Sequence, residues 1–358
     1  MIITNVRTCQ PIAEGSPPDW RTTIGQILIA IDTDTGLTGY GVGGGGAAGM
    51  HVIDAEVKPA LIGRDAEPVE EIWDDIYDLM LPYGQAGIAV MAQSGVDLAL
   101  WDLRGKAADL PVARLLAGDG SARINEPMPT YITVWDGLAE AHAAGHRAFK
   151  LHVERNEGPD RVARVIDTVQ QARDLVGPGV PLMVDAWMKW DLRTTLDVAS
   201  GVEELGVEWI EEPLPVHDTD GYRTLASESP VPIAGGEHEY TAHAFRRLVD
   251  ERLHQVLQPD VNWCGGLTEL IKIYRMTEGT DIRVCPHRGS ELWSLHALAG
   301  LDPDPMPESG RPWMTWVGGQ PVITGGHVEL GDRPGLGVEL DERDLPGVDA
   351  ELTTWQRT

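Results

Sequence analysis

Asp185, Glu211 and Glu237 follow one another at steps of 26 residues, and each is the first carboxylate after a short apolar run, in PLMVDAW, GVEWIEEP and VPIAGGE. That step is close to the length of one strand and its crossover helix. Equal phase places the three carboxylates at the C-terminal ends of three consecutive parallel strands. The runs MPTYITV, HRAFKLHV, LHQVLQPD and DIRVCPH have the same texture, and stretches such as GPDRVARVIDTVQQARDLVG between them are long enough for helices. About eight units can be counted, the final one near 300–308, which fits a closed α/β barrel better than an open sheet. In such a barrel the strand ends build the active site.

The first 120 residues have a different texture. QILIAIDTDTGLTGYGVG has two strand-like stretches around a D-T-D-T-G turn, and helical patterns follow at 66–80 and 87–110. The expected organisation is a capping domain over 1–120, a barrel over 121–318, and a Gly-rich segment, 319–358, that returns to the cap. With 358 residues, a sizeable core is available. No apolar run approaches membrane-spanning length, and MIITNVRTCQ has none of the marks of a secretory signal. Cys9, Cys264 and Cys285 are widely spaced and outside any metal-binding pattern, as expected of a reducing, cytoplasmic protein. The net charge of -28 argues against nucleic-acid or anionic-membrane partners, so an acidic substrate must be held by local positive groups.

Three carboxylates converging at a barrel mouth repel one another unless a cation lies among them, and hard Mg²⁺ suits an all-oxygen site. Glu212, next in line on a strand of period two, points away from that set. Two units later, Asp260 in LQPDVNWCGG can receive a proton from His287 in RVCPHRGS, which fixes the imidazole tautomer and raises its basicity. In FKLHV, Lys150 and His152 lie on one side of a strand. The lysine can offset a substrate carboxylate, and the histidine can exchange a proton with the ligand.

These residues resemble the enolase superfamily, specifically its mandelate-racemase subgroup. The resemblance is carried by GVDLALWDLRGKAADLPVARLLAG, VDAW, WIEEPLP, GGEHEYTAHAFRRLV, QPDVNWCGGLTELIKI and VCPHRGS, in order and with suitable spacing over almost the whole chain. It implies an α+β cap over a modified TIM barrel of (β/α)7β type, with Mg²⁺ on Asp185, Glu211 and Glu237. It further implies an Asp260–His287 dyad, an acid at Glu308 in MPESG that hydrogen-bonds an enolate oxygen, and a homodimer or octamer. The stretch from GGEHEYTAHAFRRLV to PHRGS and the tail GDRPGLGVEL most resemble rhamnonate dehydratases and related sugar-acid dehydratases. The second-strand K-x-H differs both from the K-x-K of two-base racemases and from the rhamnonate type.

The expected reaction is removal of the proton next to a carboxylate by His287, with the intermediate stabilised by Mg²⁺, Lys150 and Glu308. Loss of the β-hydroxyl, protonated by His152 or by His287 after its first transfer, then gives an enol that tautomerises to a 2-keto-3-deoxy acid. Racemisation or epimerisation through the same intermediate is the alternative, because His152 can reprotonate the other face. A non-catalytic scaffold stabilised by metal leaves the base unexplained. GVGGGG at 41–46 formally contains a dinucleotide motif, but it is expected in a hairpin and loop with no helix starting directly after it. Trp20, Arg21 and His51 in the capping loops, with Trp187 and Trp263 at the barrel mouth, are candidates for substrate contact.

Overall fold

The structure, a computed structural model, describes residues 1–118, 121–153 and 158–347. The chain opens with an antiparallel sheet of β1 (Ile3–Cys9), β2 (Ile27–Thr33) and β3 (Thr38–Gly43). β2 and β3 form the hairpin expected around D-T-D-T-G, with Gly36 at φ 83° in the turn. The helices expected at 66–80 and 87–110 run over Val69–Met80 and Ile88–Ala108. The first buries Val69, Ile72, Trp73, Ile76 and Met80, one face at helical spacing. The second is buried almost all round because it lies between β3 and the barrel. On its barrel side Asp97 accepts hydrogen bonds from the Thr268 backbone N–H and hydroxyl, and Trp101 Nε1 donates to Thr268.

The glycines of β3 are accounted for by that helix. A Cβ on Gly41 would stand 2.0 Å from the Gly95 carbonyl oxygen, and one on Gly43 2.5 Å from that of Met91. One expectation is corrected: a short helix, Gly46–Val52, does start directly after this glycine run. Gly41 and Gly43 nevertheless face helix backbone and cannot cradle a phosphate. Gly41→Ala is expected to cost more than about 2 kcal/mol by forcing strand and helix apart, seen as a lower denaturation midpoint.

The barrel sheet orders β5 (Ile132–Val134), β6 (Phe149–His152), β7 (Leu182–Asp185), β8 (Val207–Glu211), β9 (Ile233–Gly235), β10 (Val256–Leu257) and β11 (Arg283–Val284), all parallel. β4 (Met128–Pro129) pairs instead with β12 (His327–Val328) across the floor. Where an eighth strand would close the ring, Glu308 makes a single parallel bridge to Tyr131, and Ser290 N–H bonds the Glu308 carbonyl from the other side. Tyr131, Ala148, Met183, Trp209, Ala234, Val256, Cys285 and Met306 pack together as one buried cluster, one residue from each of the seven strand segments and one from the closing segment. They fill the interior as a layer, as a barrel requires.

The described part of the C-terminal segment runs back over the N-terminal elements. Leu336 N–H bonds Asp102, and Glu342 pairs with Arg7 and accepts from the Tyr40 hydroxyl. Residues 348–358 of the expected returning segment lie outside the described residues. No described helix is long and apolar enough to cross a membrane.

Candidate active site

Side chains alternate along a strand, so the residue two beyond each member of the interior layer faces inward one step nearer the C-terminal mouth. Those residues are Thr133, Lys150, Asp185, Glu211, Gln258, His287 and Glu308, with Gly236 just past β9. The polar site is thus the next layer of the barrel. Register aligns it further: His152 pairs with Asp185, and Asp185 with Glu211, across β6, β7 and β8. Glu237 lies just past β9, and Asp260 is placed by a parallel bridge to His287.

Lys150 is the hub of this layer. Its Nζ lies 2.6 Å from Glu211 Oε1, 3.1 Å from Glu308 Oε1 and 3.5 Å from Asp185 Oδ2, with the side chain 2 % exposed. Burial favours the neutral amine, but Glu211, Glu308 and Asp185 hold its proton affinity well above that of an ordinary lysine. Glu308 also accepts from the Thr133 hydroxyl and, at 3.0 Å, from the Arg288 backbone N–H. Burial works against its ionisation, yet Lys150 and the neighbouring cations His287 and Arg288 hold it below the usual carboxylate range. It therefore accepts from three donors in the resting site, and its first consequence is to fix Lys150.

At the opposite side, His287 Nδ1 is 2.8 Å from Asp260 Oδ2, and Nε2 is 2.9 Å from Glu237 Oε2. Burial opposes protonation of this imidazole, but Glu237 and Asp260 push its pKa up to about 10. Asp260 is fully buried and is itself held by Arg311, whose Nη2 lies 2.6 Å from Asp260 Oδ2 while Nη1 lies 2.5 Å from Glu291 Oε2. Sequence reasoning missed Arg311, which follows the eighth segment with no strand pattern around it. It also missed Gln258, whose Nε2 donates to Glu211 Oε2 at 2.5 Å. The layer rule identifies Gln258 once Val256 is known to face inward.

Among the described residues, the trio whose ligand atoms lie within 4.8 Å of one another is Glu212, Glu237 and His238. His238 Nδ1 is 2.7 Å from Glu212 and 3.5 Å from Glu237, and although burial opposes it, these carboxylates raise its pKa to about 9. His238 ion-pairs with both carboxylates, so in this structure the trio is closed on itself. Glu212 points away from Lys150, as its strand position predicts, and is buried against His238.

The remaining donors suit a hard divalent ion. Asp185, Glu211, Glu237 and Glu308 are buried together, with Lys150 paired to Asp185, Glu211 and Glu308, and with His287 and His238 beside Glu237. Burial, with Asp185, Glu308 and Glu237 nearby, pushes Glu211 up to about 8 despite the pull of Lys150, so the side chains alone do not hold every carboxylate ionised at neutral pH. Gln258 Oε1, buried beside Glu211, has no hydrogen-bond partner. A cation with oxygen ligands would answer both observations.

Lys150, His152, Asp185, Glu237, His287 and Glu308 face one cavity of about 210 Å³. His152 reaches it stacked on Trp135, ring centroids 5.0 Å apart, with Nε2 3.4 Å from Asp185. Trp20, Arg21, Trp187 and Trp263 line it as expected, joined by Trp135 and Trp313; His51 is exposed and not among the lining residues. Trp187, Met188, Glu212 and Arg288 all have φ between 36° and 58°, so the mouth gathers strained backbone.

Residues 135–344 match the family described as enolase C-terminal domain-like, and residues 14–117 match the mandelate racemase / muconate lactonizing enzyme N-terminal domain. The chain belongs to the enolase superfamily, mandelate racemase / muconate lactonizing enzyme group. Among relatives of this superfamily member, an L-rhamnonate dehydratase of Saccharopolyspora erythraea is 32 % identical over 89 % of this chain and 84 % of its own length. The crystal structure of a racemase from Streptomyces coelicolor A3(2) with bound magnesium superimposes with TM-score 0.85 at 30 % identity, covering 98 % of this chain and 100 % of that one. The 3,6-anhydro-D-galactonate cycloisomerase of Zobellia galactanivorans also gives TM-score 0.85, at 27 % identity with 98 % and 100 % covered.

Proposed function

We propose that this enzyme is a Mg²⁺-dependent sugar-acid hydro-lyase that converts an aldonate to its 2-keto-3-deoxy acid. The observation that carries the reading is a dyad-held imidazole, His287, facing the same small cavity as the buried ammonium of Lys150. A proton next to a carboxylate is weakly acidic because its removal places a second negative charge on the carboxylate oxygens. Lys150 stays protonated and is aimed by Glu211 and Glu308, so it meets that charge without reorganisation. Asp260, clamped by Arg311, keeps the proton of neutral His287 on Nδ1 and leaves Nε2 as the base. Mg²⁺, which Asp185, Glu211 and Glu237 would hold, supplies Lewis-acid stabilisation of the same charge when bound. Glu308 faces the cavity and can hydrogen-bond the enolate oxygen once a proton is shared with it.

His152 supports a second reading, epimerisation or racemisation, since it brings another imidazole to the cavity from β6. In our reading the protein is cytoplasmic, with three buried free thiols, and assembles as a homo-oligomer in which residues 1–120 cap the barrel. Incubation with C5 and C6 aldonates and aldarates, Mg²⁺ and D₂O, followed by mass spectrometry, tests the function. Loss of water from an aldonate is expected. Deuterium uptake with no water loss from any acid would put the epimerase reading in its place.

A further inference from the structure

Among the described residues that line the cavity, Arg288 is a cationic side chain that the chemistry above uses only through its charge near Glu308. Lys150 is paired with three carboxylates, Arg311 with Asp260 and Glu291, and Arg21 with Asp19. Arg288 lines the same cavity, and among the described residues no ion pair is formed by its guanidinium. Its Nη1 makes one long bond, 3.4 Å, to the Ser309 carbonyl, and its Nε is buried with no hydrogen-bond partner. In a chain of net charge -28 with an acid-rich barrel mouth, such a guanidinium has donors directed at something other than protein.

Its placement is built into the backbone. Arg288 directly follows His287 and sits at φ 56°, a conformation that a non-glycine side chain adopts at a cost, with its N–H fixed on Glu308 at 3.0 Å. The strained turn keeps the side chain at the cavity on the His287 side, whereas His152 enters from β6.

We propose that Arg288 binds the oxygen on the substrate carbon next to the one that loses its proton, and holds that leaving hydroxyl beside His287. The proposal rests on the dehydratase reading. His287 Nε2 takes the α-proton and the Cα–H electron pair passes onto the carboxylate as an enediolate. That pair then forms the Cα–Cβ double bond as the Cβ–O bond breaks, and the enol left behind tautomerises to the 2-keto-3-deoxy acid. The oxygen departs as water with the proton returned from His287, so the imidazole ends neutral as it began. A guanidinium is too weak an acid to give the proton itself. Its donors stabilise the charge that grows on the leaving oxygen and keep that oxygen within reach of the imidazolium. Both transfers then occur on one face of the substrate, and His152 binds substrate rather than protonating the leaving group.

The test is the partition of the intermediate. With the aldonate found by the screen, solvent deuterium entering Cα of recovered substrate and 2-keto-3-deoxy product are measured together in D₂O. Arg288→Met and Arg288→Ala are expected to raise the ratio of exchange to dehydration at least tenfold, Arg288→Lys by less. Millimolar guanidinium added to Arg288→Ala is expected to restore dehydration in preference to exchange. A loss of stability alone would lower both rates by one factor and leave the ratio where it was, which would overturn the proposal. So would a His152→Asn variant that raises the ratio while Arg288→Met does not. If the wild-type enzyme dehydrates no sugar acid, the dehydratase reading itself has failed, an outcome separate from these.

Discussion

His287→Asn is expected to lower Cα proton exchange and product formation together by about 10² to 10⁴-fold, the usual contribution of a positioned general base. Asparagine preserves a donor toward Asp260, so the Asp260–Arg311–Glu291 chain keeps a partner at each end. It has no nitrogen lone pair able to take the proton. Both readings of the reaction require this loss, because each begins with removal of the same hydrogen. Stopped assays in D₂O with mass detection measure the two rates at once. A variant that retained exchange within a fewfold of wild type would show that another group, with His152 first in line, is the base.

The barrel and most of its polar layer were legible in the sequence because both follow from a single periodicity. The 26-residue step set the phase of Asp185, Glu211 and Glu237, and alternation within FKLHV put Lys150 and His152 on one side of a strand. The structure places these residues with His287, Asp260 and Glu308 around a shared cavity and its supporting layer. What stayed hidden lay outside any period. Arg311 comes from an irregular segment after Glu308, and its meaning depends on two acids, Asp260 and Glu291, brought to it from elsewhere in the chain. Arg288 stands beside a recognisable histidine, but its left-handed backbone and unpartnered Nε exist only in three dimensions. The run GVGGGG misled about the following helix. Its glycines answer to the close passage of Ile88–Ala108, and tertiary contact of that kind leaves no local signature.

The second large effect concerns metal affinity and pH. In the structure His287 Nε2 donates to Glu237, one of the carboxylates expected to bind Mg²⁺, and the imidazole pKa is raised to about 10 by Glu237 and Asp260 against the effect of burial. A cation on Glu237 removes much of that attraction, and the imidazole then returns toward its ordinary value of about 6.5. Between those two values metal binding must release a proton, so affinity rises with pH across this window; below it the imidazole is protonated in both states, above it neutral in both, and this group then adds no pH dependence. Burial also leaves Glu211 with a pKa of about 8, so below that pH a second proton must be displaced. The Mg²⁺ Kd is therefore expected to fall about tenfold per unit from pH 8 to 10, and to change by up to about a hundredfold per unit between pH 7 and 8. Titration calorimetry in buffers of different ionisation enthalpy counts the released protons directly. His287→Asn is expected to remove one of them and to flatten the upper limb. A Kd that does not move between pH 8 and 10 in the wild-type enzyme would mean that Mg²⁺ does not take Glu237 from His287, and the assignment of Glu237 as a ligand would fall with it.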